Sequence, residues 1–266
     1  MKQENNLVSI IMNCHNGEKY LNESLKSIFN QSYKNWELIF YDNCSDDKSF
    51  EILNKYKKDK RVKYFKSNKF LSLYGARNKA IEKATGEYVT FLDTDDLWIE
   101  DKLEKQINFL KDNNNFEIAY SNYKVLDEKK KIESLKYNKL LPSGKITNDL
   151  LKRYTIGILT VIIKKKLFEI IKFKDEYNII GDFDYFIKLS EKCEIGCIQQ
   201  PLSIYRYHDQ SLSKKQIKLN ILELENWLKN DRKKLSNNYS LLNLKFFIFK
   251  LRLKYYLYII GKLFRF

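Results

Sequence analysis

Glu87-Tyr-Val-Thr-Phe-Leu92 runs without a break into Asp93-Thr-Asp-Asp96, and the reading of this stretch decides the fold. The first six residues form a strand-length, largely apolar run closed by acids. In extended backbone, residues i and i+2 point to the same face, so the carboxylates of Asp93 and Asp95 converge on one ligand. Two hard oxygen donors at a strand end suit Mg²⁺ or Mn²⁺ already chelated by a diphosphate, because such ions usually take only one or two protein carboxylates. The competing reading makes Asp95 and Asp96 caps of a helix beginning near Trp98, at its favourable N-terminus.

The same grammar recurs upstream. Leu7-Val-Ser-Ile-Ile-Met12 breaks at Asn13-Cys-His-Asn-Gly17, and Leu21, Leu25, Ile28 and Phe29 then recur at helical spacing within 19–31. Trp36-Glu-Leu-Ile-Phe-Tyr41 reads as a second strand, ending at Asp42-Asn-Cys-Ser-Asp-Asp47. Asp46 and Asp47 are placed to cap a helix carrying Ile52, Leu53 and Tyr56. Arg61-Val-Lys-Tyr-Phe65 alternates as a strand, and 72–84 reads as a helix with Gly86 as its stop signal. Strands alternating with helices of this length predict an α/β fold built from βαβ units. The sheet is expected to be open, mostly parallel and flanked by helices, with ligands at the carboxyl ends of its strands. Three such ends carry polar or acidic residues, at 13–15, 42–45 and 93–96, whereas the strand interiors do not.

Beyond residue 110 the pattern loosens. Residues 116–125 read as a strand, joined by a charged turn at 127–131 to a partner at 132–135. Residues 157–163 read as a buried strand, 182–192 as a helix, 201–207 as extended, and 217–234 as an amphipathic helix. Two prolines and eight glycines mark no hinge.

Charge divides the chain differently. The whole carries 49 Lys and Arg against 34 Asp and Glu, a net of +15, yet residues 214–266 alone hold 13 basic and 3 acidic groups. A body near charge balance is therefore followed by a basic, aromatic, helical tail. From Leu241 onward there is no acidic residue, and the longest uncharged run, 255–261, is far short of the ~20 residues needed to span a bilayer. Such a segment suits the surface of an anionic membrane, with Lys and Arg snorkelling. Two other readings stand beside it: a helical hairpin with 217–234 packed on the body, and a nucleic-acid-binding module stacking bases on Phe246, Phe247 and Tyr255. Four cysteines and an N-terminus without an apolar leader core predict a reducing, cytoplasmic setting without disulfides. No Cys-x-x-Cys occurs, so no zinc site is expected. A sugar nucleotidyltransferase would call for a Gly-rich phosphate loop after the first strand, which Gly17 alone does not supply.

Taken in order, the segments 8–21, 27–33 and 37–46, then Gly75-Ala-Arg-Asn-Lys-Ala80, Ala84-Thr-Gly-Glu-Tyr88 and Phe91–Asp96, closely resemble the family 2 glycosyltransferases. The resemblance is strong over about 7–110 and weaker to about 213. It implies a GT-A fold, with a Rossmann-like nucleotide-binding half at 1–110, an acceptor-side half at 111–213, and the tail at 214–266. It also implies a nucleotide-sugar donor (UDP by preference), a divalent metal (Mn²⁺ or Mg²⁺) and inversion at the anomeric carbon. The acceptor would be a glycan or lipid-linked molecule of surface polysaccharide, lipopolysaccharide or capsule assembly, met at the inner face of the cytoplasmic membrane; no nucleic-acid partner is expected.

Carried over by position, Asn13, His15, Asn16 and Glu18 would hold the base and ribose. Asp42 would accept from the base, and Arg77 would reach the base or the phosphates. Asp93 would face ribose or metal; Asp95 would be the leading metal ligand and Asp96 the runner-up. Gly181-Asp-Phe-Asp-Tyr-Phe-Ile-Lys-Leu189 resembles the acceptor-side motif, making Asp182 the general base (or merely a helix cap) and Asp184 its support or a hydrogen-bonding group for the acceptor. Tyr205-Arg-Tyr-His-Asp-Gln-Ser-Leu-Ser213 resembles a late motif in which His208 would join the metal, with Arg206, Ser211 and Ser213 near phosphate; a surface histidine is the other reading. The chain departs from the family at Cys14-His15, at Asn43-Cys44 in place of Asp-Gly, and at Gly181, where the family often has Glu.

Overall fold

A computed structural model describes residues 6–209, 216–236 and 238–263. Four parallel strands form its first half: β1 (Val8–Cys14), β2 (Trp36–Asp42), β3 (Val62–Lys66) and β4 (Tyr88–Phe91), in the spatial order β3-β2-β1-β4. They are linked by helices α1 (Glu18–Phe29), α2 (Ser49–Asn54) and α3 (Leu73–Ile81). The register pairs Cys14 with Asp42 and Ile11 with Phe91, so the ends of β1, β2 and β4 finish on one edge.

These strands read as near-continuous apolar runs because both faces are covered. Ile10, Met12, Leu38 and Phe40 pack with Leu21, Leu25, Leu103 and Ile107 on one side. Ile11, Ile39, Val89 and Phe91 pack with Ala76, Ala80, Phe186 and Ile187 on the other.

The second half is mixed, so the parallel arrangement belongs chiefly to the first half. The order continues through β8 (Ile162–Lys164), β6 (Ile118–Asp127), β9 (Gly196–Tyr207) and β5 (Leu97–Trp98), with β7 (Ile132–Leu135) beside β6. β8 runs antiparallel to both β4 and β6, and β9 runs parallel to β6. The helix expected near Trp98 is absent. Leu97 and Trp98 instead pair with β9, and α4 (Lys102–Asp112) starts later. Asp95 and Asp96 are therefore not its caps. Two short helices have no counterpart in the sequence pattern, α5 (Thr147–Lys152) and α6 (Leu167–Ile170), and the strand expected at 157–163 opens as a 3-10 turn, Ile158–Thr160, becoming β8 only from Ile162. α7 (Gly181–Ser190) follows the expected motif.

The tail consists of α8 (Ile217–Ser236) and α9 (Leu242–Leu263). Ile221, Leu224 and Trp227 of α8, with Leu244 and Ile248 of α9, join the larger core cluster, so the hairpin packs on the body. The boundary expected at 213/214 and the candidate residues Ser211 and Ser213 lie outside the described residues. Among the described residues, no helix is long and apolar enough to cross a membrane.

Candidate active site

The first two loops are stitched together. The Asn16 amide donates to Ser45 Oγ at 3.1 Å, and Asn16 Oδ1 accepts from the Asp46 amide at 3.0 Å. Glu18 reciprocates with the next turn: its amide donates to Asp47 and its carboxylate accepts from the Lys48 amide. Asn16 and Glu18, expected on the nucleotide, tie the first loop to the second.

Asp42 is buried, with Oδ1 accepting from the Ser45 amide (2.8 Å) and Oδ2 from the Tyr64 hydroxyl (2.9 Å). Burial, and then that carboxylate, raise the Tyr64 pKa, so the phenol stays a donor. Asn43 explains one departure from the family pattern. Its amide nitrogen donates to the Leu71 carbonyl while its oxygen accepts from the Leu71 amide, an exchange that an ionised Asp cannot make. This pins the 67–71 loop, whose Phe70 is 63% exposed and stands edge-on to His15 at 4.7 Å. His15 Nδ1 also contacts the Asn43 carbonyl at 3.0 Å. The amide of Asn13 is enclosed between these loops and meets no partner among the described residues.

Cys44 stands where the family has glycine and keeps the backbone glycine favours, with φ of 62°. A β-carbon in this region costs about 1 kcal/mol. Cys44→Gly is therefore expected to raise the unfolding free energy by about 1 kcal/mol in denaturant titration; an unchanged midpoint would show that the Cys44 Sγ–Ser67 carbonyl contact offsets the strain.

The acidic stretch after β4 is held from both sides. The Ser24 hydroxyl of α1 lies 2.8 and 2.7 Å from the carbonyls of Thr94 and Asp96. From the end of β9, the Arg206 amide donates to Asp96 Oδ1 and its Nε to the Asp95 carbonyl, both at 2.9 Å, while its guanidinium pairs with Glu23. Arg206, expected near phosphate, is a brace.

Asp96 is buried, and its pKa is pushed well above the carboxylate range by burial and then by the charges of Asp95 and Asp93. Its carboxylate faces inward onto β9, which removes it from the ligand face. Asp93 and Asp95 remain about one-third exposed, at 35% and 31%. Asp93 accepts from Arg77 at 2.7 and 3.0 Å, and Asp95 Oδ2 lies 2.9 Å from His208 Nε2. Among the described residues, no three of His, Cys, Asp and Glu gather tightly enough to hold an ion unaided. One or two carboxylates at a strand end are what an ion chelated chiefly by a diphosphate takes from a protein.

Arg77 is buried and links the two halves of the site. Besides Asp93, it lies 5.0 Å from the Tyr74 ring centroid. The Tyr74 hydroxyl donates to Asp182 Oδ1 at 3.0 Å, and the Tyr154 hydroxyl donates to Oδ2 at 3.2 Å. Burial raises the Asp182 pKa, opposed by the Arg77 charge and by these hydrogen bonds. Gly181 is explained by the same packing, since a Cβ there would sit 2.4 Å from the Tyr74 ring.

Asp184 does not face an acceptor. It is fully buried and accepts from the Trp227 indole at 2.8 Å and from Lys188 at 2.6 Å. Sequence reading missed Glu223 of α8, whose carboxylate accepts from the amides of Asn178, Ile179 and Ile180 at 2.9, 2.9 and 3.1 Å. It fixes the entry to α7 one turn before Asp182.

A parallel first half, a mixed second half and acids at the intervening strand ends define a GT-A-type fold. The glycosyl transferase family 2 model matches residues 9–186, and the chain belongs to that family of glycosyltransferases. It is 36% identical to an Escherichia coli protein, the UDP-Glc:alpha-D-GlcNAc-diphosphoundecaprenol beta-1,3-glucosyltransferase WfgD, over 69% of each chain. It is also 36% identical to the putative teichuronic acid biosynthesis glycosyltransferase TuaG of Bacillus subtilis, over 60% of this chain and 63% of that one. Among solved structures, S. aureus TarS in complex with UDP superposes with a TM-score of 0.65 at 19% identity, covering 83% of this chain and 65% of that one. The mannosyltransferase PcManGT of Pyrobaculum calidifontis, with GDP-Man and Mn²⁺, gives 0.63 at 16% identity, covering 85% and 64%.

Proposed function

We propose that this glycosyltransferase moves a sugar, with inversion, from a UDP-sugar to a hydroxyl of a glycan or lipid-linked acceptor in cell-surface polysaccharide assembly. The observation that carries this reading is the continuous path from Asp93, two residues before Asp95, through Arg77 and Tyr74 to Asp182, which ties the proposed donor edge to the proposed acceptor-side carboxylate. WfgD's UDP-sugar donor and lipid-diphosphate acceptor support the same assignment.

In this reading the base lies near Asp42, against His15 and Phe70, with the Asn13 amide as a further polar contact. Asp95, with Asp93 and His208 near it, would hold a divalent ion, which would offset charge on the departing diphosphate. Arg77 fixes Asp93. Asp182 takes the acceptor proton as the hydroxyl oxygen bonds to the anomeric carbon and the bond to the diphosphate breaks. A carboxylate raised toward working pH is a better base than an ordinary one. Purified protein with a panel of nucleotide sugars and Mn²⁺ tests the proposal: turnover of a UDP-sugar is expected, and failure to bind or turn over any donor would end it.

The hydrogen bonds to Asp182 stabilise its charged form, so removing one raises its pKa further. Tyr154→Phe is therefore expected to move the acidic limb of the kcat–pH profile to higher pH, with activity lost earlier as pH falls. A limb that stays in place would detach that ionisation from Asp182.

The outer face of α9 exposes Phe246, Phe249, Tyr256 and Leu257 among Lys245, Lys250 and Lys254, while Leu244 and Ile248 face the core. A helix with this division suits the inner surface of an anionic membrane as well as packing on the body. Flotation with phosphatidylglycerol vesicles reads this directly; protein left entirely at the bottom of the gradient would remove the membrane arm.

A further inference from the structure

A cavity of about 550 Å³ opens beside Asp182, between α5, the start of α7 and the two tail helices. Leu150, Ile179, Leu224, Leu244 and Phe247 make much of its wall apolar, and Phe247 is half exposed, so the rim continues into the outer face of α9. Lys136 and Arg153 also line it. Neither has a carboxylate partner or a side-chain hydrogen bond among the described residues. Lys136 lies over the ring of Tyr123 at 6.0 Å and Arg153 over that of Tyr137 at 5.0 Å, and those two rings pack edge to face.

Holding two cations together has a cost. Although Lys136 is solvent-accessible, its place in a concave surface, and then the Arg153 charge, pull its pKa down. The buried carboxylates of Asp42 and Glu223, by contrast, are satisfied within the fold. An uncompensated cationic pair beside an apolar wall calls for an anion that carries its own apolar body.

Arg153 precedes Tyr154, whose hydroxyl holds the Asp182 carboxylate. Anything gripped by Arg153 is thereby placed close to the proposed base. We infer that Lys136 and Arg153 bind the diphosphate of a polyprenyl-diphosphate-linked acceptor, with the lipid leaving along Phe247 and α9 and the sugar reaching Asp182. The inference rests on the proposed transfer to a lipid-linked acceptor and specifies where that acceptor is recognised. It also gives the tail helices a role in the site, as one wall of the acceptor cavity.

The test uses the full chain without donor, so its outcome is independent of sugar turnover. Phosphatidylcholine vesicles carrying undecaprenyl diphosphate are compared with vesicles in which phosphatidylglycerol supplies the same charge, and inorganic diphosphate is added as competitor. Wild type is expected to prefer the undecaprenyl diphosphate vesicles and to be displaced by the competitor. The double variant Lys136→Gln/Arg153→Gln should lose about 100-fold of that affinity, about tenfold for each charge-assisted contact. Lys136→Arg should retain most of it, and melting curves of the variants check that both exposed substitutions leave the fold intact. Equal binding by wild type and the double variant overturns the inference. So does an equal, equally sensitive response to phosphatidylglycerol, which would assign the pair to general headgroup attraction. Failure of the nucleotide-sugar panel, with lipid diphosphate binding intact, would sink the transferase chemistry alone.

Discussion

Asp182→Asn is expected to slow glycosyl transfer about 10³-fold, the scale of losing a positioned general base. Asparagine keeps the shape of the side chain. Its oxygen still accepts from one tyrosine hydroxyl, and the other hydroxyl can turn to accept from the new amide, so Tyr74 and Tyr154 need not move. The amide has no basicity to take up the acceptor proton. The loss should therefore fall on kcat, with UDP affinity by calorimetry left where it was. Transfer within tenfold of wild type would reduce Asp182 to the opening turn of α7 and return the search for a base to other acids.

Asp95→Ala is expected to cost at least about 10³-fold in donor turnover, since it removes the carboxylate proposed to hold a diphosphate-bound ion, together with the partner of His208. Its signature is metal dependence. Mn²⁺ should strengthen UDP binding to wild type and do so far less in the variant. Asp96→Asn separates the two registers of the acidic stretch. Because Asp96 is buried and accepts from the Arg206 amide, its change should lower the melting temperature while preserving most of the Mn²⁺ effect. The reverse pattern, with Asp96 controlling Mn²⁺ and Asp95 indifferent, would refute the assignment.

The features legible in the sequence were those that extended geometry writes locally. Apolar runs ending in polar residues located β1, β2 and β4, and i, i+2 spacing located Asp93 and Asp95. The opening of α7 was also readable, because Asp182 and Asp184 sit in its first turn. What escaped depends on contacts across long sequence separations, which leave no periodic trace. Tyr74 and Asp182 meet across 108 residues, and Glu223 reaches α7 from 43 to 45 residues downstream. The cap reading of Asp95 and Asp96 lost because Leu97 and Trp98 find a partner in β9, about a hundred residues on. Asn43 did carry a signal: an amide replacing an expected acid pointed to a group that must donate as well as accept, as it does at Leu71.

The carboxylate of Glu223 has a consequence for how this enzyme comes into being. A chain emerging from the ribosome through residue 209 already contains every acid assigned to the chemistry. The backbone leading into Asp182 is still unpinned at that stage, because its three amides find their acceptor only when α8 has been made. The strands and loops of the first half can be in place during synthesis, whereas the opening of α7 waits for α8. Birth order thus sets the proposed donor edge ahead of the proposed base.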